Sequence, residues 1–299
     1  MKQKISLVLS GGGARGMAHI GVIEELESHG FEIAAIAGTS MGALVGGVYA
    51  LGKMEVYKQW LCSLDKMKVF SMVDFTLSGE GLLRGDRIFH TMHELMEDKH
   101  IEELAIPFAA VSADILNRRE VVFNKGSVMN AIRASIAIPT VFTPVRTEDG
   151  LLVDGGVVNN LPIDHVQRSA GDILVVVDVN ALVPVEEPEL HSEVREQRHS
   201  RYRQKIQEFY DHLFHLHPGN HEHKFNYFDV INKTINLITY HSSEALLQKY
   251  TPDILVRVSH ESCGTYDFYK AEEVIEMGRC SAAKSLAAYK SKGKTVVQE

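Results

Sequence analysis

The chain has 299 residues, of which 45% are apolar and 23% charged, a composition that suits a globular protein with a sizeable buried core. Its net charge of −8 argues against the basic surface of a general nucleic-acid binder, so nucleic acid is excluded as an expected partner. The three cysteines, Cys62, Cys263 and Cys280, are widely spaced, which favours free thiols in a reducing, cytoplasmic compartment.

The first apolar run is too short for a secretory signal. Residues 5–9 are apolar except for Ser6, but Ser10 and three glycines end the run, and Arg15 follows where a signal would stay apolar for about 7–15 residues. We therefore interpret residues 5–9 as a buried strand. Because no run of about 18 apolar residues occurs, we expect no spanning helix and at most peripheral contact with membranes.

Apolar spacing predicts a strand, helix, strand, helix order at the start of the chain. After the strand and a glycine-rich loop at 11–16, apolar residues recur at helical spacing, and Gly30 is placed to cap that helix. Residues 31–37 predict a second strand. Residues 41–51 predict a helix whose many small side chains allow close packing against a sheet.

The middle of the chain mixes both element types. We predict helices at 56–64 and 86–96 around a glycine-rich loop at 79–85, then strands at 106–115 and 120–123 joined by a polar turn. A helix at 127–137 is stopped by Pro139, and a hairpin turn at 148–150 separates Val145 from a strand at 151–153. A helix is predicted after Pro162, and a central parallel strand at 173–179.

A last strand at 254–258 and a closing helix at 271–289 complete the pattern. Alternating strands and helices predict an α/β fold with a layered, mainly parallel sheet. We expect a single domain over 1–299, with its core at about 4–182 and 240–290.

Residues 186–235 are predicted to form a helical, histidine-rich insertion. Seven of the fifteen histidines lie between 186 and 224, and an apolar stripe at helical spacing runs from Tyr202 to Phe214. Packing of this stripe on the domain, or between copies of the chain in a homo-oligomer, is favoured over docking on lipid. The spacing of His217, His221 and His223 is compatible with a metal site, but no cysteine accompanies them, and we predict no metal.

Ser40 is the first candidate for chemistry. It lies in a Gly-x-Ser-x-Gly pattern, with Gly38 and Gly42 on either side, between a predicted strand and a predicted helix. A serine on such a tight turn has its hydroxyl exposed, and flanking glycines avoid clashes there. Ser40 is therefore predicted to be a nucleophile.

The loop at 11–16 permits two interpretations. It matches Gly-x-Gly-x-x-Gly, but a dinucleotide site needs an acidic residue at the end of the second strand, and none is present. The alternative is an oxyanion hole, in which the N–H groups of Gly12 and Gly13 bind a developing negative charge. Arg15 either braces this loop or is a solvated side chain at the helix start.

Asp154, followed by Gly155 and Gly156, is the favoured base for Ser40. It is predicted to end a strand, where open α/β sheets place their working groups. A histidine base, as in α/β-hydrolases, remains an alternative, although none of His165, His241 and His260 stands out. A further alternative is a non-catalytic protein that binds nucleotides or lipids.

These motifs resemble those of the patatin-like phospholipase family, as found in a bacterial member. The resemblance rests on the glycine loop at 11–16, Gly-x-Ser-x-Gly at 38–42 and Asp-Gly-Gly at 154–156, and it continues through 133–139 and 159–162. It covers roughly residues 4–180, and the combined spacing is highly specific.

The resemblance implies a three-layer fold and a Ser40–Asp154 dyad that hydrolyses acyl-ester lipids without a cofactor or metal. Ser40 would attack the ester, and Asp154 would accept its proton. The glycine loop would stabilise the oxyanion through Gly11, Gly12, Gly13 and Arg15, with Gly16 as part of the same motif.

Overall fold

The computed structural model describes residues 2–72, 86–139, 141–186 and 227–295. Strands in these residues form one sheet. They are β1 (Gln3–Leu9), β2 (Phe31–Thr39), β3 (Phe108–Asp114), β4 (Arg119–Phe123), β5 (Val145–Arg146), β6 (Leu151–Asp154), β7 (Ile173–Ala181) and β8 (Ile254–Ser259).

The helices of the described residues alternate with these strands along most of the chain. They are α1 (Ala18–Ser28), α2 (Met41–Ala50), α3 (Met54–Cys62), α4 (Lys66–Ser71), α5 (Asp86–Leu95), α6 (Val128–Ser135), α7 (Tyr227–Lys249) and α8 (Ala271–Thr295). Short 3₁₀ turns occur at Gly13–Met17, Ile101–Glu103, Gly155–Val157, Ile163–His165 and Phe268–Lys270.

The sheet is mainly parallel, as predicted. Its order is β5-β6-β3-β2-β1-β7-β8, with β4 paired to β3. Strands β1, β2, β3, β7 and β8 are parallel to their neighbours in this set, whereas β4 and β6 run antiparallel to β3. The predicted central position of β7 is confirmed, because it pairs with both β1 and β8.

Both faces of the sheet are covered, which gives three layers. Alternate residues of β1 separate the two cores: Leu7 contributes to the larger one and Val8 to the smaller one. On the larger side, α1 and α8 touch through their backbones, since a Cβ on Gly21 would lie 1.9 Å from the Ile275 carbonyl oxygen. The smaller side is covered by residues 161–166 and the end of α7, including Leu246.

Local turn chemistry was largely predictable. Gly30 follows α1 at φ 83°, a conformation that favours glycine, and the Thr147 N–H donates to the Gly150 carbonyl in the predicted hairpin. The predicted helix after Pro162 is wrong, because only the 3₁₀ turn Ile163–His165 forms. A turn closed by Ser169 N–H on the Asp172 carboxylate, with Gly171 at φ 79°, leads directly into β7 instead.

Helix α7 runs without a break across position 235, the predicted end of the insertion. Residues 187–226, which hold the histidine-rich run and the apolar stripe at 202–214, lie outside the described residues, as does the loop at 79–85. Within the described ranges, no helix has the length and apolar character needed to cross a bilayer.

Candidate active site

Ser40 lies on a strained turn between β2 and α2. Its φ of 55° and ψ of −123° are unusual for a residue with a side chain, and such strain is often found at functional sites. The strained backbone conformation is that of Ser40, and neither Gly38 nor Gly42 has a positive φ. Gly38 and Gly42 are needed for space, because a Cβ on Gly42 would lie 2.1 Å from the Leu9 carbonyl oxygen and one on Gly38 would lie 2.4 Å from the Gly42 backbone.

The route by which Asp154 reaches Ser40 differs from our expectation. Thr39 at the end of β2 pairs with Val111 of β3, and Asp154 at the end of β6 pairs with the next residue, Ser112. Because β4 occupies the opposite edge of β3, β2 and β6 share one edge and meet end to end. Asp154 therefore comes from an antiparallel strand that runs back to the site, and not from the carboxyl end of a parallel strand.

The side chains of Ser40 and Asp154 are hydrogen-bonded to each other. Both are buried, with 3% and 6% of their surface exposed, and the Gly156 N–H also donates to Asp154 Oδ1 at 2.8 Å. Burial raises the pKa of Asp154 to about 6, although both hydrogen bonds oppose that change. The carboxyl group is thus a stronger base than an ordinary aspartate.

Ser135, at the end of α6, fixes the turn from behind. Its Oγ accepts the Ser40 N–H at 2.8 Å and donates to the Val111 carbonyl at 2.5 Å. Sequence reasoning did not assign Ser135 a role, although it lies in the segment 133–139 that carries part of the resemblance. Its position in that segment is the only sign in the sequence that Ser135 contributes to the site.

The glycine loop lies directly against this turn. A Cβ on Gly11 would be 2.9 Å from Ser40 Cβ, one on Gly12 would be 2.5 Å from Val179, and Gly13 has φ 58°. In the described part of the chain, no hydrogen bond engages the N–H groups of Gly11, Gly12 and Gly13. These three donors are available to a bound anion or oxyanion.

The loop is held by residues from distant strands. Asn180, the second-last residue of β7, donates from Nδ2 to the Gly11 carbonyl at 2.6 Å, and the Ala14 N–H donates to the Thr265 carbonyl at 2.8 Å. Gly16 packs against α2, since its Cβ would lie 2.4 Å from Met41 Cβ. Sequence reasoning missed Asn180 because only the β1–β7 pairing brings it to the loop.

Arg15 is not a solvated side chain. Only 8% of it is exposed, one of its terminal nitrogens donates to Asn180 Oδ1 at 3.0 Å, and its Nε has no hydrogen-bond partner among the described residues. Burial lowers the pKa of Arg15, while Cys263 and Asp178 oppose that change. Arg15 therefore braces the loop through Asn180 and places a positive charge beside it.

Glycines 155 and 156 let the chain turn away from Asp154 in close contact with β3. A Cβ on Gly155 would lie 2.3 Å from the Val111 carbonyl oxygen, which leaves no room for a side chain. The loop then returns through Asn159, whose carbonyl accepts the Thr39 hydroxyl at 2.8 Å. The predicted Asp-Gly-Gly turn is therefore joined to the Ser40 turn by two hydrogen bonds, one from Ser40 to Asp154 and one from Thr39 to Asn159.

These groups surround a pocket of about 80 Å³. Its polar side is formed by the glycine loop with Asn180 and Thr265, and its apolar side includes Ile138 and Val157. Helix α7 contributes the remaining wall through Ile235, Asn236 and Thr239, so part of the predicted insertion lines the pocket.

No described histidine lines this pocket. His165 lies beside Glu120, His260 contacts the Ala181 carbonyl, and His241 is in α7. His19 is buried and donates to the Ser10 carbonyl at 2.8 Å, and burial lowers its pKa to about 4. Within the described residues, the group that contacts the Ser40 hydroxyl is therefore a carboxylate.

Comparison with known proteins finds relatives by sequence and by structure. The family model described as patatin-like phospholipase matches residues 7–166. An uncharacterized NTE family protein of Mycobacterium tuberculosis is 30% identical over 96% of this chain and 92% of its own length. Patatin-like phospholipase domain-containing protein 6 of mouse is 33% identical over 59% of this chain and 14% of its own length. The crystal structure of VipD from Legionella pneumophila aligns with 96% of this chain and 67% of its own, with 12% identity and a TM-score of 0.47.

Proposed function

The chain belongs to the patatin-like phospholipase family, and on that premise we propose that it is a serine hydrolase of acyl-ester lipids, with Ser40 as nucleophile and Asp154 as general base. The observation that carries the proposal is the buried hydrogen bond between these two side chains, beside three free N–H groups of the glycine loop. Nucleophile, base and oxyanion donors are the three parts that acyl transfer requires.

In the acylation step, Ser40 Oγ forms a bond to the ester carbonyl carbon while its proton passes to Asp154. The carbonyl oxygen becomes negative and is bound by the N–H groups of Gly11, Gly12 and Gly13, each donor worth on the order of 3 kcal/mol in the transition state. Collapse of the intermediate breaks the bond to the leaving alcohol, which takes the proton from Asp154. The acyl group remains on Ser40.

In the deacylation step, water attacks the acyl-enzyme. Asp154 accepts a proton from the water, the same oxyanion donors act again, and the proton returns to Ser40 Oγ as the fatty acid leaves. A pKa of about 6 suits this double role, because Asp154 is ionised at neutral pH and yet is a better proton acceptor than a solvated aspartate.

We propose a long-chain lipid substrate that is only partly enclosed. Pockets that bury drug-sized ligands measure about 300–1,000 Å³, whereas the pocket here has about 80 Å³. It holds the reacting ester, while the acyl chain extends past the wall formed by α7. Peripheral contact with a membrane from the cytoplasm would supply such a substrate.

A fluorophosphonate probe tests the assignment directly. We expect mass mapping to find the probe on Ser40, no labelling in Ser40→Ala, and unchanged labelling in Ser63→Ala, which alters an exposed serine. Labelling at another residue, or none in the folded wild type, would contradict the proposed nucleophile.

A histidine base is tested separately. We expect His260→Ala to keep wild-type turnover of a short-chain ester, and its inactivation would overturn the dyad. Mass spectrometry of total lipid before and after incubation then identifies the ester class that is cleaved.

A further inference from the structure

Asn160 places an unpaired hydrogen-bond acceptor in the pocket. It is 2% exposed and lines the pocket together with Ser40 and Asp154. Its Nδ2 reaches the Ser243 hydroxyl at 3.5 Å, whereas no hydrogen bond among the described residues engages its Oδ1. Buried amide oxygens normally have a partner, so this oxygen is available to a molecule in the pocket.

The Asn160 oxygen lies close to both members of the proposed dyad. The position that a Cβ on Gly11 would take is 2.7 Å from Asn160 Oδ1 and 2.9 Å from Ser40 Cβ. The position that a Cβ on Gly156 would take is 3.3 Å from Asn160 Oδ1 and 3.1 Å from Asp154 Oδ1. The free acceptor is therefore near the nucleophile and near the base.

The space beside Gly156 has room for a small molecule between two oxygens. Apart from the chain neighbours of Gly156, the oxygens of Asp154 and Asn160 are the only described atoms within 4 Å of its Cβ position. Gly156 itself lines the pocket. A buried water makes about two to four hydrogen bonds, and here its two hydrogens would find two acceptors.

We propose that Asn160 is a further catalytic residue, which orients the water that hydrolyses the acyl-enzyme. The inference rests on the proposed function of Ser40 and Asp154. In the acyl-enzyme, Ser40 Oγ carries no proton, so the Asp154 oxygen that had bonded to it is free to accept from water. One water hydrogen would bond to Asp154 and the other to Asn160 Oδ1, which directs a lone pair of the water oxygen at the acyl carbonyl carbon.

The water is consumed in a balanced step. Its oxygen bonds to the acyl carbon while one proton passes to Asp154, and the other hydrogen stays on the oxygen beside Asn160 Oδ1. The bond between the acyl carbon and Ser40 Oγ then breaks, and Ser40 regains its proton from Asp154. The second hydrogen leaves on the carboxyl group of the fatty acid.

This role is specific to deacylation. The amide oxygen of Asn160 accepts hydrogen bonds, and water has a hydrogen to donate to it, whereas the alkoxy oxygen of an ester substrate has none. Loss of the amide should therefore slow the attack of water and leave the attack of Ser40 nearly unchanged.

Steady-state and burst kinetics of the full-length protein with p-nitrophenyl butyrate test the proposal. In Asn160→Leu, which keeps a similar shape without the acceptor, we expect kcat to fall by about tenfold or more. KM should fall in parallel, so that kcat/KM stays within about threefold of the wild type. p-Nitrophenol release should show a burst close to one equivalent, and intact-protein mass spectrometry should find the butyryl group on Ser40.

The rate of fluorophosphonate labelling separates the two steps, because labelling of Ser40 needs no attack by water. In Asn160→Leu this rate should stay within about threefold of the wild type. Equal losses of labelling and turnover would show that Asn160 acts through packing or in acylation, and would overturn the proposal. A wild-type kcat in this variant would overturn it as well.

Gly156→Ala tests the same water position and decides the question if Asn160→Leu does not fold. Gly156 has no positive φ, and the variant keeps the N–H that donates to Asp154, while its methyl group fills the space between the two oxygens. We expect accumulated acyl-enzyme and a lower kcat here too, with labelling close to the wild-type rate. Rapid deacylation in this variant would contradict the proposed position of the water.

The matched control is Asn159→Ala. Asn159 is the neighbouring buried asparagine, but its Nδ2 donates to Glu120 Oε1 at 2.9 Å, and it does not line the pocket. Any loss in this variant should lower labelling and turnover by the same factor. A wild-type protein that is not labelled at Ser40 would contradict the proposed function, whereas a labelled one whose variants deacylate normally would contradict only the role of Asn160.

Discussion

Two walls of the pocket are built in different ways. The strand floor, formed by Ser40, Asp154 and the supporting Ser135, is almost fully buried and joined by hydrogen bonds of 2.5–2.8 Å. The helical wall, formed by Ile235, Asn236 and Thr239 of α7, is held by the Thr239 hydroxyl on the Gly156 carbonyl at 3.1 Å. Farther along α7, Asn160 Nδ2 reaches the Ser243 hydroxyl at 3.5 Å.

This difference assigns the chemical step to the strand floor and the entry of the substrate to the helical wall. Proton transfer requires Ser40 and Asp154 to stay within hydrogen-bond reach, and the floor supplies that through buried, fully paired groups. The helical wall carries large side chains that are mostly exposed, namely Val230, Leu237 and Ile238. Few buried contacts allow a segment to move at low cost, which suits a wall past which a long substrate must extend. Changes to the floor should therefore lower kcat, and changes to the wall should alter KM.

The largest effect is expected for Asp154→Asn. Loss of the base should lower kcat/KM by on the order of 10⁴-fold. The same change should stabilise the fold at pH 7.5 by up to about 3 kcal/mol, because an ionised, buried carboxylate whose pKa is raised to about 6 opposes folding. Ester turnover and urea unfolding measure the two effects.

The pH dependence of this gain follows from the raised pKa. The folded state of the wild type holds the Asp154 proton more tightly than the unfolded state, so the penalty is absent below about pH 4 and complete above about pH 6. Asp114→Asn is the control with the opposite sign, since a hydrogen bond from Asn117 lowers the pKa of Asp114 and its ionised form stabilises the fold. A gain for Asp154→Asn that does not vary with pH would contradict the burial of the charge.

An intermediate effect is expected for Ser135→Ala. The change leaves the Ser40 N–H and the Val111 carbonyl without their partner, which should cost about 1–3 kcal/mol of stability and lower kcat by about 10–100-fold at unchanged KM. Chemical unfolding and steady-state kinetics test both numbers.

Ser112→Ala is the matched control for Ser135. Ser112 is equally buried and donates to the Val153 carbonyl at 2.6 Å, whereas the Ser40 N–H is bonded to Ser135. It should lose similar stability with a smaller loss of kcat. Equal kcat losses in the two variants would show that Ser135 acts only through general stability.

The smallest effect is expected for Thr239→Val in the helical wall. Valine keeps the shape and removes one hydroxyl, so the loss of its hydrogen bond to the Gly156 carbonyl should cost only about 1 kcal/mol. We expect KM to change by less than about fivefold and kcat to stay close to that of the wild type.

Thr234→Val is the control in the same helix, because Thr234 is exposed and, within the described residues, its hydroxyl bonds only to the Val230 carbonyl one turn away. A kcat loss for Thr239→Val as large as that for Ser135→Ala would remove the distinction between the two walls.

The parts of the site that the sequence predicts are those that depend on residues close together along the chain. Around Ser40 and around Gly11–Gly13, a strand, glycines and the start of a helix follow one another within a few residues. The local sequence therefore predicts the surroundings of these residues. Ser135 and Asn180 could not be assigned, because they reach the site only through the positions of α6 and β7 in the sheet. The antiparallel return of β6 escaped prediction for the same reason: strand register is decided across the sheet and not along the chain.

The end-to-end meeting of β2 and β6 on one edge of β3 also has a consequence for the newly made chain. Ser40 is in place once β1, β2 and α2 have formed, but its partner lies more than a hundred residues later and is aligned only when β6 has paired with β3. Contacts between such distant positions form late in folding. A partly folded or truncated chain would carry the serine without its carboxylate, so lipid hydrolysis would begin only when the sheet is complete.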